Sequence, residues 1–348
     1  MTNFIEIRKR VSALDPELPL RAKHPTQLAL GAAWLAIALA LGVWNLARET
    51  NWAIQLLSGI GIGIALSVLT FFNHELLHGS IVKSRRLAHV LAYPGFFVFA
   101  LSPELWITWH NHLHHYHANQ TGGYDPDLAG DWNRLKNRKI GPPLVKYLMP
   151  GAGHPLVHVF NTMAFSLQCL NVTWLRSRER PELYRSMNRG LMVAETLAYY
   201  AIWIALFVAL PFGKFFFLLL VPAAIVNAVV FNTVGLPHNM RPLTEDNLPM
   251  AATITLESPR IVNWMFFNFS YHIEHHVFPE ANHSILPRIG AHLRREYSEE
   301  YTAVPHGRAI RAFYSTPRAY FDADHLFYPD TGEKVDLAKL RRDGFRRR

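Results

Sequence analysis

Four stretches of this sequence run for about 20 residues with almost no charge, the length an α-helix needs to cross a hydrocarbon core. They are Leu28 to Ala47, Trp52 to Phe72, Leu191 to Leu210, with Glu195 near its start, and Phe215 to Val234. Inside lipid each backbone amide must find its partner within its own segment, so such runs fold as helices. Only Arg48, Glu49, Thr50 and Asn51 separate the first two, and Pro211 to Lys214 the second two, so each pair reads as a tight hairpin. The mean hydropathy of +0.05 conceals this, because apolar runs alternate with segments crowded with Arg, His and Asp. The expected fold is all-α: a polytopic membrane protein with four transmembrane helices in two hairpins and a cytosolic, histidine-rich cap. A single domain over 1–348 would hold a cytosolic segment at 1–26, membrane helices within 27–236 around a cytosolic insert at 79–190, and a cap with a basic tail at 237–348.

The formal charge of +9 is concentrated at both termini and beside the apolar spans. Membrane lipids with anionic headgroups are therefore the expected partner, and no motif for nucleic acid accompanies the charge. Arg8, Lys9, Arg10, Arg21 and Lys23 precede the first span, and Lys83, Arg85 and Arg86 lie between the hairpins. Each hairpin turn carries one basic residue, so the positive-inside rule places both termini and the central segment in the cytoplasm. The charged N-terminus lacks the apolar core of a secretory signal and is read as mature protein. Cys169 is the sole cysteine, which excludes an intrachain disulfide and thiolate metal clusters. Leu91 to Ile107 and Pro155 to Leu175 are apolar but interrupted, and read as in-plane or re-entrant helices. Gly59, Gly61 and Gly63 sit in a charge-free span with no strand before them, so they signal close helix packing rather than a nucleotide loop.

The 19 histidines carry the chemistry. His74 and His78 lie four residues apart at the end of the second span, on one helical face. A second group is Trp109-His110-Asn111-His112-Leu113-His114-His115-Tyr116-His117, and a third is Tyr271-His272-Ile273-Glu274-His275-His276-Val277-Phe278-Pro279. His238 follows the fourth span directly. Imidazole suits iron, zinc and copper rather than magnesium or calcium. Nine or so imidazoles exceed the about four to six ligands of one ion and suit two. A pair of iron ions so held can reduce O₂ and remove hydrogen from a methylene that no acid or base could deprotonate. His24, His89, His154, His158, His283, His292, His306 and His325 are read as ordinary surface or interfacial residues.

These groups resemble the three histidine boxes of the membrane fatty acid desaturase and hydroxylase superfamily, here His74/His78, His110/His114/His115 and His272/His275/His276. With the hairpins and the cap, the resemblance covers roughly residues 28 to 290. It implies a non-haem di-iron centre, O₂ as co-substrate and a lipid or acyl substrate. It also implies electrons from an external carrier such as ferredoxin or cytochrome b₅, with its reductase. It makes His238 a ninth ligand, and the form of the third box is similar to the acyl-lipid and sphingolipid branches. An integral protein of a bacterial inner membrane or the endoplasmic reticulum is implied, with its metal site cytoplasmic.

The chain departs from the family in carrying both His110 and His112 in the second box; His110 is preferred because it shares a helical face with His114. Val234 stands where the acyl-CoA branch has a water-holding Asn, and Asn232 is out of register. No His-Pro-Gly-Gly haem motif is present.

A hydroxylase of the same family, acting on a lipid, alkane, carotenoid or small amine, has the same ligands. The rival from another class is an intramembrane zinc protease, since His74-Glu75-Leu76-Leu77-His78 is literally H-E-x-x-H. It would leave the other two boxes without a role, as would a metal transporter, whose ligands belong at the bilayer midplane. The topology is testable: labels at both termini and near Arg138 should report the cytoplasmic side, and one at Glu49 the opposite side. A terminus on the far side would require an odd number of spans.

Overall fold

The computed structural model describes residues 2–127 and 132–345, so Arg346, Arg347 and Arg348 of the expected basic tail lie outside the described residues. The chain is mostly helical and forms two compact units. One comprises Met1–Leu20, His112–Phe160 and Asn232–Arg348; the other comprises Arg21–Asn111 and Asn161–Phe231. Helix α1 (Phe4–Leu14) opens the former. The latter holds α2 (Gln27–Leu46), α3 (Trp52–Leu77), α4 (Arg189–Ala209) and most of α5 (Phe212–Val234).

Helices α2 to α5 are the four among the described residues long and apolar enough to cross a membrane. Local chemistry sets their ends. The Asn51 side chain accepts from Ile54 N–H at 3.0 Å to start α3, and Asn188 accepts from Leu191 N–H at 3.0 Å to start α4. In the second hairpin turn Lys214 donates to the carbonyls of Asn45, Leu46 and Arg48 at 3.0, 3.3 and 3.1 Å, where α2 has run out of its own donors. The glycines of α3 do pack closely: a Cβ at Gly59 would stand 2.1 Å from the Phe217 carbonyl oxygen, and one at Gly63 2.9 Å from Ile225.

The two interrupted apolar runs form short helices. The first, entered from the short helix Arg85–Leu91, breaks into Tyr93–Phe96 and Pro103–Trp106, with Ala100 in the left-handed region at φ 48°. The second contains Leu156–Asn161 and Ala164–Asn171. Glu195, an acid in an apolar helix, is satisfied by this short-helix layer. Its Oε1 meets His89 Nε2 at 2.5 Å and accepts from Tyr93 O–H at 2.6 Å, while Oε2 accepts from Ser102 Oγ at 2.5 Å. His89, half-buried, is thus tied to Glu195, and its hydrogen bond to that carboxylate raises its pKa. The sequence shows the acid in α4 but not the turns that fold back onto it.

The other unit adds α6 (His272–Val277), α7 (Leu286–Glu296) and α8 (His306–Ser315). Ile7 and Val11 of α1 share one apolar core with Ile273, Val277, Phe278, Ile289 and Leu293. Asp15 ties the end of α1 to α7 by an ion pair with Arg288 at 2.6 Å and a hydrogen bond with His292 at 3.0 Å. Strands β1 (Thr255–Glu257) and β2 (Ala303–Pro305) pair in parallel, and β3 (Ala319–Tyr320), β4 (His325–Phe327) and β5 (Lys334–Asp336) form an antiparallel sheet.

The glycine contact gives a direct stability test. Gly59→Ala forces α3 away from Phe217 and should cost about 1–3 kcal/mol, the usual range for overpacking. Gly42→Ala, where an added Cβ meets nothing within 4 Å, should be neutral or slightly stabilising. Thermal unfolding of the detergent-solubilised pair checks this, and equal midpoints would show that the close approach carries no energy.

Candidate metal centre

Eight of the nine expected ligand histidines are buried, and His78 is half-buried. In the membrane-helix unit, the donor nitrogens of His74, His78 and His110 lie within 4.8 Å of one another. His74 lies in the last turn of α3 and His78 caps its C-terminus, with ring centroids 4.5 Å apart in an edge arrangement. His110 comes from the stretch Ile107–His114, which is wound as a π-helix, a rare widening often found at functional sites. Its Nε2 stands 3.1 Å from His74 Nε2. Asn111 Nδ2 donates to the Leu77 carbonyl at 3.1 Å, fixing this stretch to the end of α3. Trp106 stacks on His110 at 4.5 Å and meets His74 and His78 edge-on, walling the group with an apolar face. His112 is exposed, whereas His110 is 6% exposed.

In the cap unit, the donor nitrogens of His114, His238, His272 and His276 also lie within 4.8 Å of one another. His238 Nε2 is 3.1 Å from His114 Nε2 and 2.7 Å from His272 Nε2. His115 and His275 pair through their Nε2 atoms at 3.1 Å. His272, His275 and His276 all come from the single turn-and-a-half of α6, whose residues are buried without exception.

The second nitrogen of each ring decides where the first one points. His114 Nδ1 donates to Asp125 Oδ1 at 3.2 Å and lies 3.1 Å from Asp127. Asp125 is itself held by the backbone N–H groups of Asn119 and Asp127 at 2.9 Å each. Burial opposes charge on both partners, yet their mutual attraction wins: the His114 pKa is raised and that of Asp125 lowered. His238 Nδ1 donates to the Ala252 carbonyl at 3.3 Å. That carbonyl is positioned by Arg241, a fully buried guanidinium that donates to the neighbouring carbonyls of Ala251 and Met250 at 2.7 Å each. Burial lowers the Arg241 pKa to about 9. Burial likewise lowers His238, His272 and His276 well below the ordinary imidazole value, and His275 to about 3. These rings stay neutral, as metal ligands must.

The donor set fits transition-metal ions. Buried imidazole nitrogens converge to within 4.8 Å of one another, and His276 Nε2 is buried with no hydrogen-bond partner. Nitrogens bound side by side at about 2.1 Å from one ion stand about 3 Å apart, close to the observed separations. Asp125, Asp127, Trp106, Arg241 and the Ala252 carbonyl escaped the sequence reading. They lie in loops or short turns, and no spacing rule ties them to the boxes.

Asp125→Asn keeps the shape but removes the charge that aims His114. Metal content or affinity should fall about ten- to a hundred-fold, the usual loss when a ligand's orienting partner is changed. Unaltered binding in a folded variant would show that Asp125 does not orient the ring. Residues 50–308 match the family model described as Fatty acid desaturase, about three quarters of the 348-residue chain. No curated protein matches the sequence.

Proposed function

Because this chain belongs to the fatty acid desaturase family, we propose that it desaturates an acyl chain of a lipid, using O₂ and two iron ions held by histidines. The ligands in this reading are His74, His78, His110, His114, His115, His238, His272, His275 and His276, with one ion among His114, His238, His272 and His276. Bound iron would supply what no side chain has, the reduction of O₂ and the removal of hydrogen from an unactivated methylene. Electrons would come from an external carrier, ferredoxin or cytochrome b₅, with its reductase. The basic flanks of the spans support a cytoplasmic site within an integral membrane protein.

The observation that carries the reading is the four-imidazole group of the cap, buried, with its donor nitrogens within 4.8 Å of one another and with His114 and His238 oriented by Asp125 and the Ala252 carbonyl. Protein groups do the rest of the work. Asp125 holds His114 in one tautomer, and Arg241 holds the segment that aims His238. Trp106, and Phe269 packed against His272 at 4.7 Å, keep water from the imidazoles. Hydroxylation shares the first hydrogen removal; the match to desaturases favours the double bond.

The position of Glu75 speaks against a zinc protease. Its Oε2 accepts from Ser80 Oγ at 3.0 Å, and its Oε1 lies 3.7 Å from His74 Nδ1. The Nε2 of His74 faces His110 instead. A general base for metal-bound water would have to stand on the Nε2 side.

The purified protein should contain two irons per chain. Alanine at any of the nine positions should abolish turnover, whereas His112→Ala should retain it. Glu75→Gln should keep O₂-dependent turnover, within about ten- to a hundred-fold. One zinc per chain, no need for O₂ and a dead Glu75→Gln would establish the protease.

A further inference from the structure

Glu274 sits inside the third histidine motif, between His272 and His275, and is fully buried. Its carboxyl group is engaged on three sides. Tyr301 O–H donates to Oε1 at 2.5 Å, and Thr255 Oγ1 donates to Oε2 at 2.7 Å. Thr255 opens β1 and Tyr301 lies just before β2, two strands paired with Thr255 opposite Ala303. One carboxyl thus ties α6 to β1 and to the segment leading into β2. The third side is Gly290 of α7, where a Cβ would stand 2.4 Å from Glu274 Oε1. A side chain at this position would have to displace the Glu274 carboxyl from its two hydrogen bonds.

Helix α6 has six residues, too few to hold its own shape in water. Its direction is set by what fastens it, and it carries three of the nine imidazoles. Ligand geometry tolerates displacement of only about 0.5 Å. Apolar packing of Ile273 and Val277 holds the helix in the core, but it is non-directional and leaves rotation about the axis weakly specified. The carboxyl supplies the missing direction through two short hydrogen bonds.

We infer that Glu274 is a positioning residue for the metal centre: pinned between Thr255, Tyr301 and Gly290, it fixes how α6 presents His272, His275 and His276. The inference rests on the di-iron reading above. It concerns metal affinity and site geometry rather than the reaction itself.

The test uses the full-length protein in detergent, stripped of metal by chelation and titrated with cobalt(II) while the visible ligand-field spectrum is followed. The parent protein should bind two ions per chain; failure to do so sinks the di-iron reading, whatever the variants show. Glu274→Ala should bind about ten- to a hundred-fold more weakly with an altered spectrum, by analogy with other changes behind metal ligands. Glu274→Gln can keep one acceptor and should recover most of the affinity. Gly290→Ala, which pushes a methyl group into Oε1, should weaken binding in the parent but add nothing in the Glu274→Ala background. Tyr301→Phe removes one hydroxyl and conserves volume, so it decides the matter if Glu274→Ala does not fold; it should shift the spectrum in the same direction. Two ions in the parent, with parental affinity and spectrum in Tyr301→Phe and in folded Glu274→Ala, would overturn the inference while leaving the di-iron reading intact. A fall in thermal midpoint without any change in affinity or spectrum would overturn it equally.

Discussion

An imidazole buried without a partner for each of its nitrogens is a cost, and the cap is arranged around that constraint. Taking a polar group out of water is unfavourable unless it is hydrogen-bonded or bound to a metal. At His114 and His238 the structure commits Nδ1 to an acceptor, Asp125 and the Ala252 carbonyl respectively, and leaves Nε2 aimed at the shared centre. Desolvation does the second half of the task. It holds His238, His272 and His276 in the neutral form, so the same burial that removes water also keeps the donor lone pairs available.

Holding these rings in place draws in distant parts of the chain. Arg241 fastens the segment that offers the Ala252 carbonyl, Asn119 donates to the His238 carbonyl at 2.9 Å, and Glu274 fastens α6. Helix α1 packs across the same core and brings Arg8, whose guanidinium donates to the Val277 carbonyl at 3.0 Å at the end of α6. In the membrane-helix unit the Asn111 hydrogen bond to the Leu77 carbonyl is joined by apolar support. Trp106 stacks on His110, and glycines in α3 let neighbouring helices approach until backbone meets backbone. Different solvents explain the difference. Where lipid offers no hydrophobic drive between helices, close van der Waals packing has to supply the cohesion.

H-E-x-x-H illustrates how a motif can be present in letters and absent in geometry. The spacing of His74 and His78 places both rings on one helical face whichever metal they serve. Whether Glu75 can act as a base depends on the side of the ring it occupies. The fold puts it beside Ser80 and toward Nδ1. A similar point holds for His110 and His112. Both are plausible by spacing, and the winding of Ile107–His114 buries one and exposes the other.

The sequence alone determined the four apolar helices, their two hairpins and the histidine groups beside them. Those features are written in local periodicity and in the absence of charge, and lipid leaves the backbone no alternative to a helix. The tight packing at Gly59 was legible because three glycines, Gly59, Gly61 and Gly63, recur in one charge-free span with no strand before it. Only the tertiary structure decided what stands behind the ligands. Asp125, Arg241, Ala252 and Glu274 act through contacts with residues fixed by the fold rather than by a repeating pattern. His89 reads in the sequence as an ordinary surface or interfacial residue, and its partner Glu195 lies 106 positions away. A hydrogen bond between distant segments leaves no period in the chain, because its partners are set by the folding of everything between them.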